Sequence, residues 1–418
     1  MFISFYIKYI TMKNILSTSF LVFCFLPLYF LKIDLADYGS LNLIDCLILF
    51  YLSIFSIYLT DKLKRADFYS FVGRNKNVLL IIFFICCFLL LSFYVNSDKN
   101  NSLKSLGVLK SYYFLPILFA IMLVYLIKQR IVRLKKIFKA YLISSIVIVI
   151  ISLFFILEKN LTYDYRLSSI FSSPNYLAIY ISPAILLLLS MVKQKKVKQS
   201  KRFLLFLLIS LYLIVILFTK CQGAIISVFL LSLFITLPDE KKIKFLLKNN
   251  KVKKLFLLFF IFANILIIFG LKPLTDYLDY DPYLNRSSLD SRLVIYEISR
   301  DIAFKNPVWG IGPANFQNVY LLNQSSYRPY PQWAVPHAHN NILVLLLESG
   351  IAGAALFLSL IYLWLAKMNK QAFKSKSYML PACLIIFYFL IHGLIDATIW
   401  KNDYALMFWF FLIRGTME

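Results

Sequence analysis

The sequence predicts an all-α polytopic membrane protein with about twelve transmembrane helices and one large external helical loop. Three observations predict it. Hydrophobic residues make up 61% of the 418 positions, against ~45–50% in soluble domains. Many separate apolar runs approach the ~20 residues that carry a helix across hydrocarbon. Most basic residues sit in short connectors between those runs.

The apolar runs fall near 15–31, 41–60, 77–95, 107–127, 140–157, 175–192, 203–219, 224–238, 255–271, 340–366, 379–395 and 404–414. The first lacks a small-residue cleavage site and is expected to be retained as a span. Connectors 61–76, 128–139, 193–202, 239–254 and 367–378 are rich in lysine and arginine. By the positive-inside rule they are cytoplasmic, and both termini follow them. The connectors 32–40, 96–106, 158–174, 220–223, 272–339 and 396–403 are then external. Residues 272–339 balance Lys/Arg against Asp/Glu, unlike the inner connectors. Apolar character is continuous, so residues 1–418 are taken as one transmembrane domain containing that loop.

The net charge of +25 would suggest nucleic acid in a soluble chain. Here orientation in the bilayer and anionic lipid headgroups account for it, and no nucleic-acid partner is expected. All six cysteines lie in or beside apolar runs, with no CxxC pair, so neither a disulfide framework nor a zinc site is expected. Within the large loop, Ser288 to Phe304 reads as an amphipathic helix capped by Ser288 and stopped by Asn306-Pro307. On it Arg292, Tyr296, Ser299 and Arg300 share a face. Trp309-Gly310-Ile311-Gly312-Pro313 reads as a turn, with a second short helix at 314–322.

Two of the three histidines stand in Pro336-His337-Ala338-His339-Asn340-Asn341, where the large loop meets the tenth span. His339 and Asn340 are placed at the cap or first turn of that span. An uncharged imidazole there can take a proton from a hydroxyl nucleophile, which makes His339 the candidate general base and His337 the weaker one. Arg166, Arg292 and Arg300 are external, and a guanidinium fork binds phosphate oxygens while staying charged. Lys220 and Gln222 sit in a tight turn between two spans. Asp279-Tyr280-Asp281 is a DxD, which in a polar loop is common by chance. Asp396 stands four residues after His392 and is a candidate partner for it. Gly350 and Gly353 suit close helix packing.

His339-Asn340, then Gly350-Ile351-Ala352-Gly353 in the span after one large external loop, resembles the bacterial O-antigen ligase and polymerase superfamily. Arg166 through Pro174-Asn175, Arg292 with Asn306-Pro307 and Gly310-Ile311-Gly312, and His392 agree with it. The resemblance covers residues from about 155 onward. It implies a bundle like that of the type C membrane glycosyltransferases, needing no cofactor and no metal. It further implies transfer of an undecaprenyl-pyrophosphate-linked O-antigen glycan to lipid A–core at the periplasmic face of the bacterial inner membrane. Under it, His339 is the base and Arg166 and Arg292 hold the pyrophosphate. Asn340, His337, Arg300, Lys220, Gln222, Asn175 and Tyr296 complete the expected substrate contacts. One departure is Lys220-Cys221-Gln222-Gly223, where many members have Ser-Arg-Gly, so Gln222 occupies an arginine position. Growth of the glycan itself, by a polymerase, and transfer to protein Ser/Thr remain alternatives; outside the class stands a polysaccharide transporter.

Overall fold

A computed structural model describes residues 10–34, 40–96, 102–193, 197–236, 249–270, 288–327, 335–371 and 379–417. The DxD at 279–281 lies outside them.

Helix follows wherever an apolar run is long and free of breakers. In chain order the helices are α1 (Ile10–Cys24), α2 (Leu43–Tyr58), α3 (Lys62–Arg74), α4 (Lys76–Val95), α5 (Ser102–Val108) and α6 (Leu115–Lys128). There follow α7 (Leu134–Leu157), α8 (Pro174–Val192), α9 (Gln199–Phe218), α10 (Gln222–Thr236) and α11 (Asn250–Ile265). The last five are α12 (Ser288–Lys305), α13 (Phe316–Asn323), α14 (Asn341–Gln371), α15 (Met379–His392) and α16 (Asn402–Thr416). A π-helical stretch, Leu109–Phe114, joins α5 to α6 without a break.

Among the described residues seven helices are long and apolar enough to cross a membrane, or eight if the bent α2–α3 pair is one span. The expected twelve is not confirmed by that length test; Ile10–Cys24, Gln222–Ile235 and Leu380–His392 are shorter apolar helices. The first expected span, 15–31, is not one helix: α1 tightens into a 3-10 turn at Ser19–Cys24, and a second such turn carries Pro27. Proline lacks the N–H a continuing helix needs. The 61–76 connector is itself helical, with α3 turned 114° from α2. A two-stranded antiparallel hairpin, Lys32–Asp34 with Ser40–Asn42, replaces part of an expected loop. Runs 224–238 and 379–395 form the shorter helices α10 and α15.

The spans are apolar all round, and their packing separates two environments. Phe83, Phe84, Leu90, Ile143, Phe154, Phe203 and Phe259 point outward as a lipid-facing coat. α16, by contrast, is buried over almost its whole length, packed against α6, α14 and α15. α14 lies along α4.

One device ties the external helices to this bundle. α14 is interrupted at Gly350, whose φ of 69° and ψ of −173° belong to a region open only to glycine. The turn after α12 enters the break. Ile351 N–H donates to the Pro307 carbonyl at 3.0 Å, and Ile311 N–H to the Leu347 carbonyl at 2.7 Å. A Cβ on Gly350 would strike the Val308 carbonyl, and one on Gly310 (φ 68°) the Leu347 carbonyl. Ser92 on α4 holds the Trp309 carbonyl from the other side. Gly350→Ala is therefore expected to cost about 3 kcal/mol or more in backbone strain and collision. The measurement is the apparent Tm in detergent micelles, and an unchanged Tm would refute the clamp.

Candidate active site

The connectors predicted to be external come together at one end of the bundle. They are the α7–α8 loop carrying Arg166, the Thr219–Cys221 turn, the segment before α14 and the α15–α16 connector. The basic connectors meet elsewhere: the Tyr125 hydroxyl, near the end of α6, donates to the Lys64 carbonyl on α3.

Asp396 is the residue on which the site converges, at 1% exposure. Its Oδ1 lies 3.0 Å from His339 Nδ1 and accepts from the Ala397 N–H. Its Oδ2 lies 3.5 Å from Arg292 Nη2 and accepts from Asn175 Nδ2 at 3.0 Å. Asn175 Oδ1 in turn accepts from Arg166 Nη2 at 2.6 Å, while Arg166 Nε donates to the Thr219 carbonyl at 2.8 Å. A second carboxylate, Asp164, stands 3.6 Å from Arg166. His339, Arg292 and Arg166 are thus linked through one carboxylate and one amide.

The charges explain how an acid survives there. Burial alone would raise the Asp396 pKa, but the His339 ring, by charge and hydrogen bond, and then Arg292 outweigh it. The carboxyl is held well below the usual range. Facing an acceptor-only carboxylate, His339 Nδ1 is the proton-bearing nitrogen, and in the neutral ring that leaves Nε2 with a lone pair. His339 has φ 47°, a left-handed conformation that costs a non-glycine residue on the order of 1–3 kcal/mol. Its backbone carbonyl is fixed by the Tyr296 hydroxyl at 3.0 Å. Tyr296 and Arg292 are one turn apart on α12, so one helix face supplies both.

The pairing expected between His392 and Asp396 is not formed. α15 ends at His392; the Asp396 N–H still donates to the His392 carbonyl at 3.1 Å, but the Asp396 side chain turns toward His339. His392 bonds instead to the Tyr388 hydroxyl at 2.8 Å and lies 3.8 Å from Cys221 Sγ. Gly223 is small because a Cβ there would meet the His392 ring.

The remaining predicted residues divide by their partners. Asn340 is the N-cap of α14: its Oδ1 accepts from Ile342 and Leu343 N–H at 2.9 Å, and its Nδ2 donates to Asn264 and the Leu394 carbonyl. Every hydrogen-bonding position of that amide is taken within the protein. Arg300 points to Asp301 and Glu297, away from Asp396, so the face it shares with Arg292 in sequence does not bring it to the cluster. Lys220 and Gln222 are exposed in the turn beside Arg166. Among the described residues, neither side chain bonds to the Asp396 cluster.

His337 is buried, its ring 4.5 Å from that of His339 and 5.2 Å from that of Trp400. Burial, reinforced by the neighbouring His339, pushes its imidazole down to about 3. Folded, it stays neutral; unfolded, it takes up a proton near its ordinary 6.5. Its contribution is therefore complete above pH 6.5 and is lost as pH falls from there toward 3, by about 1.4 kcal/mol per pH unit. His337→Gln should flatten the acid side of a Tm-against-pH profile, and an equally steep profile in the variant would contradict this. His337, His339 and Asp396 also place ligand atoms within 4.8 Å of one another, a spacing able to hold a metal ion.

Three relatives share part of this chain. They are proteins of Rickettsia conorii, Rickettsia typhi and Rickettsia felis, provisionally named polysaccharide ligases. The first is 33% identical over 120 residues, covering 26% of this chain and 27% of its own length. The second is 32% identical over 127 residues (29% and 30%), and the third 34% over 116 (26% and 27%). The chain spans less than a third of the length of these relatives. A family profile described as O-Antigen ligase matches residues 170–358. That segment includes Asn175, Arg292, Tyr296, His337 and His339, stops short of Asp396, and begins just after Arg166. This chain is a multi-span helical membrane protein whose residues 170–358 match the profile described as O-Antigen ligase.

Proposed function

We propose that the protein is a glycosyltransferase that moves a glycan from undecaprenyl pyrophosphate onto a hydroxyl of lipid A–core, at the periplasmic face of the inner membrane. One observation carries the reading: His339 Nδ1 and Arg292 Nη2 sit on the two oxygens of the same buried carboxylate. A base and an anion-binding cation are thereby held in fixed relation. His339 Nε2 removes the proton of the acceptor hydroxyl as its oxygen bonds to the anomeric carbon of the donor sugar. The bond from that carbon to the pyrophosphate oxygen breaks, and undecaprenyl pyrophosphate leaves with the electron pair.

Arg166 and Arg292 receive the developing negative charge. Both are partly exposed: Arg292 is engaged at Nη2 alone, which leaves its other N–H groups for phosphate oxygens, while Arg166, held at Nε and Nη2 with Asp164 beside Nη1, keeps fewer. Two fixed guanidinium groups supply what a divalent cation would otherwise supply to a pyrophosphate leaving group, so the reaction is read as metal-independent. Tyr296 positions His339 through its carbonyl, and Asn175 joins Arg166 to the same carboxylate.

The test is reconstitution. The full chain, in vesicles with a glycan on undecaprenyl pyrophosphate and with lipid A–core, is given EDTA. The expected products are glycosylated lipid A–core and free undecaprenyl pyrophosphate. Lengthened lipid-linked glycan without that product would mean a polymerase instead. Activity lost to EDTA and restored by a divalent cation would make His337, His339 and Asp396 a metal site.

A further inference from the structure

An opening lies on the other side of the α15–α16 connector from Asp396. It encloses about 910 Å³ and is lined, among others, by Tyr29, Lys32, Lys104, Lys110, Trp400 and Lys401. The volume is at the upper end of ligand pockets. Among the described residues its wall holds four lysines and no carboxylate.

Two of those lysines are held in place. Lys110 Nζ donates to the Ser40 carbonyl at 2.7 Å and lies 3.0 Å from Asp45, itself buried. Lys401, at 5% exposure, has its ammonium 3.5 to 4.8 Å from the ring centres of Tyr29, Phe171, Tyr176 and Tyr404, and 3.6 Å from Asp403. Rings and buried acids hold these cations without the freedom of a solvated side chain. Lys104 stands exposed at the wall. The π-helical Leu109–Phe114 presents Lys110 to the space, and π-helical turns of this kind recur at functional sites. Leu103 and Leu106 add an apolar wall.

The groove is joined to the candidate base by two ring contacts, Trp400 against His337 and His337 against His339. The α15–α16 connector is the partition between them: Asp396 faces the guanidinium groups, while Trp400 and Lys401 face the groove. We propose that this groove seats the acceptor, an anionic glycolipid whose headgroup phosphates lie on Lys104, Lys110 and Lys401. The assignment rests on the transferase reading above. Its charge logic is a division of labour. Guanidinium forks hold the pyrophosphate that must leave, and compact ammonium groups hold a phosphate that takes no part in the chemistry.

The test measures binding and transfer separately on the full chain in dodecyl maltoside micelles. Diphosphorylated lipid A is expected to bind about tenfold or more tighter than the same lipid A stripped of phosphate, one such factor being 1.4 kcal/mol. Lys104→Glu, at an exposed position, should remove most of that difference and raise KM for acceptor with kcat unchanged. Binding of undecaprenyl pyrophosphate should be unaltered. Lys110→Gln is the second variant and should act in the same direction. The assignment is overturned if phosphate on the lipid A makes no difference, or if inorganic phosphate or phosphatidylglycerol competes as well as lipid A. It is overturned equally if Lys104→Glu weakens the donor instead. If wild-type protein binds lipid A through these lysines but transfers no glycan, the transferase reading fails and the groove stands. If transfer proceeds and Lys104→Glu leaves the acceptor KM unmoved, the groove fails alone.

Discussion

Replacing His339 with alanine is expected to abolish glycan transfer while the protein still inserts and folds. General-base help alone contributes on the order of 10²–10⁴ in rate. The loss should be at the upper end, because Arg292 and Arg166 would then hold a leaving group that nothing is poised to displace. The imidazole is one-fifth exposed, and without it Asp396 keeps Arg292, Asn175 and the Ala397 N–H as partners, so the protein should still fold at some cost in stability. The measurement is single-turnover transfer with donor saturating, beside the apparent Tm. A variant that transfers at the wild-type rate removes His339 from the chemistry.

Asp396→Asn should be nearly as severe, on the order of 10³–10⁴ in kcat, by a different route. An asparagine has almost the same shape but can offer its NH₂ to the ring, which stabilises the tautomer with the proton on Nε2. That places a hydrogen where the lone pair must be, the failure seen when the carboxylate of a Ser-His-Asp triad becomes an amide. Arg292 loses its counter-charge in the same stroke. Donor affinity should therefore hold or tighten while kcat collapses, a split between KM and kcat that simple unfolding would not produce. Equal losses in both parameters would make Asp396 a structural acid only.

Much of this architecture was legible in the chain. The amphipathic pattern from Ser288, the Asn306-Pro307 stop and the short helix behind Gly312 are local features, and α12 and α13 formed where local chemistry put them. Asn340 as a cap was legible for the same reason, since its role needs only the next three residues. The lengths of the individual helices were not. Hydropathy measures how long an apolar run is, but not that Pro27 ends a helix inside one or that α2 and α3 fold back on each other.

The role of Asp396 was half-legible. An acid beside an apolar run asks for a partner, and the four-residue spacing pointed to His392 as if both stood on one helix. Only the end of α15 at His392 decides otherwise, and helix ends are set by packing that a single sequence does not display. The groove was hidden for a stronger reason. Its wall is assembled from the hairpin near Tyr29, the π-helical stretch, and Lys401, segments tens to hundreds of residues apart that carry no shared motif.

The hold of α14 on the Pro307–Gly312 turn is made by main-chain atoms, so it fixes a phase as well as a place. Each residue of an α-helix advances the side chain by about 100° around the axis. One residue inserted between Arg292 and Asn306 would leave the splice at Gly350 closed yet rotate the guanidinium by more than a quarter-turn from Asp396. Such a protein would keep its shape and lose its aim, and deleting the residue again would restore both.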